Sequence, residues 1–273
     1  MPIKPLDFEK FLISEYFKHG SINKVFYFHH FSIPISYAGY DRVLTKYGII
    51  KSAGPNSKLT ESLRVLSLVA DYKLSLEKIY EKYAPQTIRV STNTLHRILH
   101  YTRLGLTRRQ GTALIITCKN QEEILVGNDQ SLSNGNLGNK GDISLPMGHS
   151  KTGESPRESI IRVLQQEVFT NLVLNQAFPY EVVPEHPKPV LYINIADIRV
   201  SVYHLSLVGK YSFSSFKLNR LRFQSIEKIS TSRIRPGVED ILKFYLNINT
   251  LESDKIPVFN CSLNLNLAKV KNQ

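Results

Sequence analysis

Apolar residues recur at helical spacing through the first hundred residues of the chain. Amphipathic stretches lie at 7–20, 57–73 and 74–83, where hydrophobic positions three or four residues apart fall on one side of a helix. Serine and aspartate stand at the expected starts of these stretches, and Gly20 stands at the end of the first. The pattern predicts an all-α N-terminal region.

The helical region contains an internal repeat. Residues 21–30 align with 75–84, and residues 35–47 align with 90–102, at an offset of 54 or 55 residues. Each copy predicts a short helix, a break containing Pro34 or Pro85, and a second helix that follows a serine. This layout resembles a helix-turn-helix, whose second helix enters a DNA major groove. The matching pairs include Ser21/Ser75, Lys24/Lys78, Val25/Ile79, Ser36/Ser91, Arg42/Arg97 and Leu44/Leu99.

Polar side chains on the second helix of each copy are expected to face outward between buried aliphatic positions. The segment 103–110, which follows the second copy, is expected to form a wing whose arginines contact phosphates. The alternative is a helical bundle with a basic outer face, or a dimerisation domain. The candidate nucleic-acid contacts are Arg42, Lys46, Asn93, His96, Arg97, Arg103, Arg108 and Arg109.

From Thr112 the periodicity changes to that of strands. Strands are predicted at 112–118 and 123–128, an antiparallel pair at 189–198 and 201–211, and a mobile Gly- and Asn-rich loop at 131–142. An amphipathic helix is predicted at 154–169, and a second at 236–246 that begins with a proline. This order of elements predicts a mixed sheet with helices packed against it.

Positive charge is concentrated in the helical region. The chain has a net charge of +12, and residues 1–110 contain 17 Lys and Arg against 8 Asp and Glu, a net of +9. Such a field attracts polyanions, although a lysine-rich solvated surface has the same composition. The 273 residues suffice for two domains. We divide the chain into a helix-turn-helix-like region (1–106), a second domain (108–250) and a C-terminal tail (251–273).

The sequence also indicates a compartment. No apolar run approaches the ~18 residues that span a bilayer, and the first eleven residues carry charge where a signal peptide is apolar. Cys118 and Cys261 are too few for a disulfide framework. We therefore expect a soluble, intracellular, cytoplasmic protein that does not bind membranes.

A spaced motif lies within residues 144–172, after a predicted strand. Nudix hydrolases carry the pattern G-x5-E-x7-R-E-U-x-E-E-x-G-U, and this stretch resembles it. The resemblance implies that the helical region is followed by a Nudix-like α/β/α sandwich with a mixed sheet, an α+β multidomain chain as a whole. The positions that match are Gly148, Glu154, Arg162, Leu164 and Glu167, and those that depart are Val163, Gln166, Phe169 and Thr170.

The departures concern the chemistry of the family. There, glutamates on the motif helix bind Mg²⁺ or Mn²⁺, and the metal activates water to cleave a nucleoside-diphosphate-linked substrate. Positions 163, 166 and 167 share one helix face, which here offers one carboxylate where three are expected, and hard cations need charged oxygen ligands. We therefore expect no efficient hydrolysis and assign no cofactor with certainty. If the site is active, the catalytic candidates are Glu167, Arg162 and Glu154, and the Mg²⁺ or Mn²⁺ ligands are Glu167, Gln166 and Glu154.

Other interpretations of the motif region remain open. A carboxylate outside the motif, such as Glu181, Glu185 or Asp197, could complete the metal site. Arg162 could instead pair with a carboxylate and fix the loop. The stretch 210–223 mixes cations with aromatic residues, a composition suited to bases or phosphates. The candidate ligand contacts are Gly148, His149 and Arg162.

Together these features favour a transcriptional regulator that binds duplex DNA and senses a nucleotide-like small molecule through an impaired Nudix domain. The combination resembles the repressors of NAD metabolism that join a Nudix-like sensor to a winged helix, in reversed order. The alternatives are a divergent metal-dependent Nudix hydrolase with a nucleic-acid-binding N-terminal region, and a protein-binding scaffold. By analogy with these families we also expect a homodimer.

Overall fold

The protein is built around one mixed β-sheet with helices on both faces. A computed structural model describes residues 5–52, 57–87, 90–118, 123–130, 141–248 and 255–269. The loop predicted at 131–142 lies almost entirely outside these ranges. Among the described residues, no helix combines the length and the apolar composition needed to cross a membrane.

Six helices come first, and they form two units of three. The first three-helix unit comprises α1 (Pro5–His19), α2 (Ile22–Phe28) and α3 (Tyr37–Lys46), and the second comprises α4 (Ser57–Tyr72), α5 (Leu76–Thr87) and α6 (Thr92–Arg103). These bounds agree with the helices that the apolar spacing predicts. Pro85, which we expected in a break, lies inside α5 near its end.

The predicted repeat is visible in the way the helices begin. The hydroxyl of Ser21 accepts a hydrogen bond from the backbone N–H of Lys24 at the start of α2, and Ser75 does the same for Lys78 at α5. Ser36 and Ser91 cap α3 and α6 in turn. Because a serine at this position satisfies an N–H that the helix leaves unpaired, each pair of aligned serines has one physical role in both units.

The remaining elements come as groups of strands separated by helices. The strands are β1 (Arg109–Cys118), β2 (Glu123–Asp129), β3 (Ile143–Ser144), β4 (Met147–His149), β5 (Leu191–Ile195), β6 (Ile198–Leu207), β7 (Leu218–Ser225) and β8 (Val258–Asn260). The helices are α7 (Pro156–Glu167), α8 (Thr170–Leu174), α9 (Ile226–Ser230), α10 (Val238–Asn247) and α11 (Ser262–Lys269).

The sheet is mixed, as the sequence predicts. Its strand order is β3-β2-β1-β6-β5-β8, with β4 paired to β1 and β7 paired to β2. The central pair, β1 and β6, is parallel over ten residues, from Arg109 opposite Ile198 to Cys118 opposite Leu207. The predicted antiparallel pair is β5 with β6. Every residue of β1 from Gly111 to Thr117 is buried, because helices cover both faces of the sheet.

Each three-helix unit shares a hydrophobic core with one face of the sheet. Ala113 and Ile115 of β1 face a core that includes α4–α6, α10 and α11, and we call this side the α4 face. Leu114 and Ile116 face a core that includes α1–α3, α7 and α8, and we call this side the α7 face. The alternation follows from the two-residue period of a strand. The two copies of the repeat therefore lie on opposite sides of the sheet.

The connection between α6 and β1 differs from the wing that we expected. Residues 104–108 form a turn and a short extended piece that leads straight into β1, and β1 pairs with β6 and β4 of the central sheet. The backbone N–H groups of Arg108 and Arg109 both donate to the carbonyl of Asp197. Thus the second three-helix unit is tied directly to the sheet at the β5–β6 turn.

The segment that we separated as a tail belongs to the body of the fold. β8 extends the sheet by pairing in parallel with β5, and α11 packs against α4 and α6. Leu263 and Leu267 of α11 are buried in the core of the α4 face. Helix α10 begins at Val238, two residues after the proline with which we expected it to start, because Gly237 is in a left-handed conformation.

Candidate functional site

Helix α7, which carries the motif, is held in place from its first residue. The Ser155 hydroxyl accepts from the N–H of Glu158 at 3.2 Å, and the Glu158 carboxylate accepts from the N–H of Ser155 at 2.9 Å. This reciprocal capping box, with Pro156 in the first turn, fixes where the helix begins. The hydrogen bonds from Ser155 also lower the pKa of Glu158. The sequence thus encodes the start of α7 locally.

Glu154 and Arg162 form a buried ion pair at the start of the motif. The Arg162 Nε lies 2.7 Å from one oxygen of Glu154, and its Nη2 lies 3.1 Å from the other, which also accepts from the N–H of Lys151. Both side chains are nearly fully buried. A Cβ at Gly148 would lie 3.1 Å from the Arg162 guanidinium, so glycine there leaves room for the arginine. Both Glu154 oxygens are thereby engaged within the protein.

Glu167, at the end of α7, is engaged from two sides. One carboxylate oxygen accepts from the N–H of Met147 at 2.8 Å, which ties the helix to β4. The other lies 3.3 Å from the Lys217 ammonium, which also donates to the side-chain carbonyl of Gln166 at 3.1 Å. The Ser215 hydroxyl accepts from the backbone N–H of Lys217 at 3.0 Å and donates to the backbone carbonyl of Gln166 at 3.2 Å. This loop therefore holds the lysine against the helix end.

The residues present do not fit a divalent magnesium or manganese ion. Val163 is buried and offers no oxygen, and Glu154 is committed to Arg162. Asp197 is buried in an ion pair with Arg109, while Glu181 and Glu185 are exposed on the chain after α8. Within the ranges that the structure describes, no three His, Cys, Asp or Glu side chains cluster as a metal site. Mg²⁺ is held through carboxylates with waters completing its shell, and the one carboxylate at this helix end, Glu167, already contacts the Lys217 ammonium.

His149 and Arg162, both expected at one ligand site, lie on different faces of the sheet. The position of Gly148 faces Arg162 and Val163 on the α7 face, so its neighbour His149 points to the α4 face. There, burial and the nearby Arg109 lower the pKa of His149 to about 4. Its Nε2 is buried without a hydrogen-bond partner. The two residues therefore do not share a pocket.

Gln165 connects α7 to the first three-helix unit, a role that sequence reasoning missed. Its buried amide donates to the carbonyl of Gly48 at 2.8 Å and accepts from the N–H of Ile50 at 3.0 Å. Next to it, the Tyr16 hydroxyl accepts from the N–H of Ser52 at 2.8 Å. The backbone that leaves α3 is thus bound to the motif helix.

Phe169, where the family has a glycine, ends α7 differently. The ring is fully buried and packs against Phe178, Tyr211 and Phe213. Helix α8 begins at the next residue, Thr170, so the chain turns at once into a second helix. The predicted aromatic and basic stretch 210–223 therefore contributes Tyr211 and Phe213 to the core and Lys217 to the end of α7.

The outer face of α6 presents the polar residues that we expected to face outward. On the inner side of α6, Leu95, Ile98 and Leu99 are buried in the core of the α4 face. Between them, the exposed positions form one surface of a 12-residue helix. His96 contacts the Glu77 carboxylate at 2.8 Å, and both side chains are at least half exposed. The exposed residues of this face are Asn93, His96, Arg97 and His100.

The other candidate nucleic-acid contacts are placed unevenly. Arg42 and Lys46 are exposed on α3, where Lys46 pairs with Glu9 at 2.8 Å. Arg108 is exposed and its guanidinium lies over the ring of Tyr101, while Arg103 is half-buried. Arg109 binds the buried carboxylate of Asp197 through two nitrogens. The structure thus presents the α6 and α3 arginines to solvent and engages Arg109 in the fold.

Comparisons with known proteins identify similar structures. No protein-family model and no curated protein matches the sequence. A Nudix hydrolase from Nitrosomonas europaea is 12% identical, with a TM-score of 0.42 over 56% of this chain and 78% of that one. The MutT protein from Methanosarcina mazei is 17% identical, with a TM-score of 0.38 over 55% of this chain and 98% of that one. An ADP-ribose pyrophosphatase from Streptococcus suis is 14% identical, with a TM-score of 0.38 over 56% and 99%. Identities this low do not carry an activity from one protein to another.

Proposed function

We propose that the protein is a DNA-binding regulator whose Nudix-like domain binds a nucleotide-like ligand and does not hydrolyse it efficiently. The observation that carries the DNA-binding part is the outer face of α6. Asn93, His96, Arg97 and His100 are exposed together on a serine-capped helix whose opposite side is buried. Asparagine recognises adenine and arginine recognises guanine through paired hydrogen bonds in the major groove, so the side chains suit base edges.

The charge of the two three-helix units supports the same partner. Residues 1–110 carry a net charge of +9, and Arg42 occupies on α3 the place that Arg97 occupies on α6. A positive surface of this kind binds the phosphate backbone with an affinity that falls steeply as salt rises. Duplex DNA is therefore the nucleic acid that we would test first.

The ligand-sensing part rests on the motif and its contacts. Glu154 and Arg162 keep the ion pair that shapes the loop before α7, whereas the helix face that holds metal in Nudix enzymes carries Val163 and Gln166. A loop shaped by this ion pair beside a helix face that lacks carboxylates at two of its three metal positions supports ligand binding without efficient turnover. Gln165 joins this helix to the first three-helix unit, which offers a route from ligand to DNA-binding surface.

A gel-shift titration with duplex DNA tests the regulator. We expect binding that weakens with salt and is lost when Arg42→Ala and Arg97→Ala are combined. The matched control combines Lys210→Ala with Lys243→Ala, which removes the same two charges from exposed positions outside the three-helix units. Absence of binding at low salt, or equal loss in the control, would end the proposal.

An activity assay separates the regulator from the hydrolase alternative. ADP-ribose, nucleotide sugars and dinucleoside polyphosphates, incubated with magnesium or manganese, are expected to remain intact. Clear turnover that Glu167→Gln abolishes would instead favour a divergent hydrolase. The homodimer remains a prediction, which sedimentation velocity of the full chain would test.

A further inference from the structure

The end of α7 holds a positive charge that the chain itself supplies. The ammonium of Lys217 lies 3.1 Å from the side-chain oxygen of Gln166 and 3.3 Å from a carboxylate oxygen of Glu167. These are the two positions at which the Nudix pattern has consecutive glutamates. We propose that Lys217 is a built-in replacement for the divalent cation, so that this site keeps its shape without metal.

The number of available oxygens distinguishes the two cations. One Glu167 oxygen accepts from the N–H of Met147, which leaves the other Glu167 oxygen and the Gln166 oxygen for a cation. Magnesium is held mainly through charged carboxylate oxygens, with waters completing its octahedron, and here a single carboxylate oxygen is left for it. An ammonium has three N–H donors and is satisfied by three acceptors. The Gln166 and Glu167 oxygens accept from the ammonium of Lys217, so both available oxygens are used.

Net charge favours the same assignment. Glu167 and Lys217 together are neutral, and Gln166 adds no charge, so the helix end attracts a dication weakly. A dication that entered would also be repelled by the ammonium at close range. Glu167 is only 7% exposed, whereas Lys217 is 40% exposed, so the lysine covers the carboxylate from the solvent side.

The local chain holds Lys217 ready for this role. The Ser215 hydroxyl accepts from the N–H groups of both Lys217 and Leu218 at 3.0 Å and donates to the backbone carbonyl of Gln166. Leu218 is buried and begins β7, which pairs with β2 of the sheet. Because both flanks of Lys217 are fixed, its side chain needs little further ordering to reach Glu167.

Two measurements test the proposal. The first is manganese binding, followed by the spectroscopic signal of free Mn²⁺, and the second is the melting temperature with and without manganese. The wild-type chain should show no binding that depends on Glu167 and no metal-dependent shift in melting temperature. Gln166→Glu, which adds a carboxylate and keeps Lys217, should behave in the same way. The variant that combines Gln166→Glu with Lys217→Met should bind Mn²⁺ more tightly, by on the order of tenfold or more, than wild type or Gln166→Glu alone. Relative to wild type, the net charge of its site changes from neutral to doubly negative.

The control combines Gln166→Glu with Lys210→Met, which removes an exposed lysine seven residues earlier and leaves Lys217 in place. It should match Gln166→Glu alone. The proposal is overturned if wild-type protein binds Mn²⁺ tightly and loses it on Glu167→Gln, or if the Lys217→Met combination binds no better than the control. If the Lys217→Met combination fails to fold, Gln166→Glu combined with Lys217→Gln, which keeps a polar side chain, makes the same comparison with the control.

Discussion

The side-chain amide of Gln165 pairs with the backbone at Gly48 as a neighbouring strand would, donating at 2.8 Å and accepting from Ile50 at 3.0 Å. Gln165 lies in the last turn of the motif helix α7, and Gly48 follows α3 of the first three-helix unit. A fully buried amide thus joins the candidate ligand site to one candidate DNA-binding surface. If the proposed ligand displaces α7, these two hydrogen bonds are a direct connection to the first three-helix unit.

Removing the Gln165 amide is expected to destabilise the fold. Gln165→Met keeps most of the side-chain volume but leaves the Gly48 carbonyl and the Ile50 N–H without their partners. A lost buried hydrogen bond of this kind costs about 1–3 kcal/mol, which urea unfolding would measure. Faster amide exchange at Ile50 should accompany the loss. An unchanged unfolding midpoint, matching that of Asn171→Ala on the exposed side of α8, would contradict the role of this junction.

The buried pair of Arg162 and Glu154 should matter far more than an exposed pair. Arg162→Met leaves the Glu154 carboxylate buried without its cation, and such a change costs about 3–5 kcal/mol. Lys46→Ala breaks the pair with Glu9 at a site where Lys46 is 55% exposed, and should lower the melting temperature far less, because solvent screens such a pair. Thermal unfolding of both variants makes the comparison.

A double variant separates the pair from the two side chains. Arg162→Met combined with Glu154→Gln removes both charges, so its loss of stability should be smaller than the sum of the two single losses. Strict additivity would mean that the two groups do not interact across the 2.7 Å contact.

Acid should destabilise the protein through His149. Burial and the guanidinium of Arg109 lower the pKa of its imidazole from 6.5 to about 4, with Arg235 opposing the charged form and Asp197 favouring it. Because the folded state binds the proton less readily than the unfolded state, this contribution is complete above pH 6.5 and is lost as the pH falls toward 4. The loss is up to about 3 kcal/mol.

The measurement is the melting temperature between pH 7.5 and 4 for wild type and His149→Gln. The variant should lose less stability on acidification, because glutamine does not titrate. Parallel curves for the two proteins would show that His149 takes up its proton without cost in the folded state.

Asn264 of α11 should be needed to hold the second three-helix unit on the sheet. Its amide donates to the Ala196 carbonyl at 3.0 Å and accepts from the Ala196 N–H at 2.7 Å, where the chain turns between β5 and β6. Asn264→Ala should therefore cost about 1–3 kcal/mol in urea unfolding. Leu265→Ala, on the 52% exposed side of the same helix, should change stability by no more than about 0.5 kcal/mol. Equal effects of the two changes would refute the assignment.

Local sequence patterns predicted the elements, because they depend on neighbours in the chain. The apolar spacing that gave α1 and α4, and the serines that begin α3 and α6, act within one or two turns. Strands β3, β4 and β8 are two or three residues long, too short for a period of two to be recognised. Periodicity shows which side of a helix is buried but not what covers it, so the positions of the three-helix units on opposite faces were not predictable.

The candidate site was predictable only where its contacts are close in sequence. The pairing of Glu154 with Arg162 could be predicted, because Glu154 lies in the loop just before α7 and Arg162 lies in α7 itself. Lys217 meets Glu167 across fifty residues, and Gln165 meets Gly48 across more than a hundred, so nothing in the local pattern of either residue names its partner. Lys217 was noticed only as one cation in a mixed aromatic and basic stretch.

Helix α11 packs on α4 and α6, although all eight strands of the described sheet lie between α6 and α11 along the chain. Contacts between such distant segments close large loops and form slowly compared with local ones. During synthesis, the apolar sides of α4 and α6 leave the ribosome long before α11 exists to cover them. The second three-helix unit therefore passes through a period in which α11 does not yet cover it and it is open to chaperones or to misassembly.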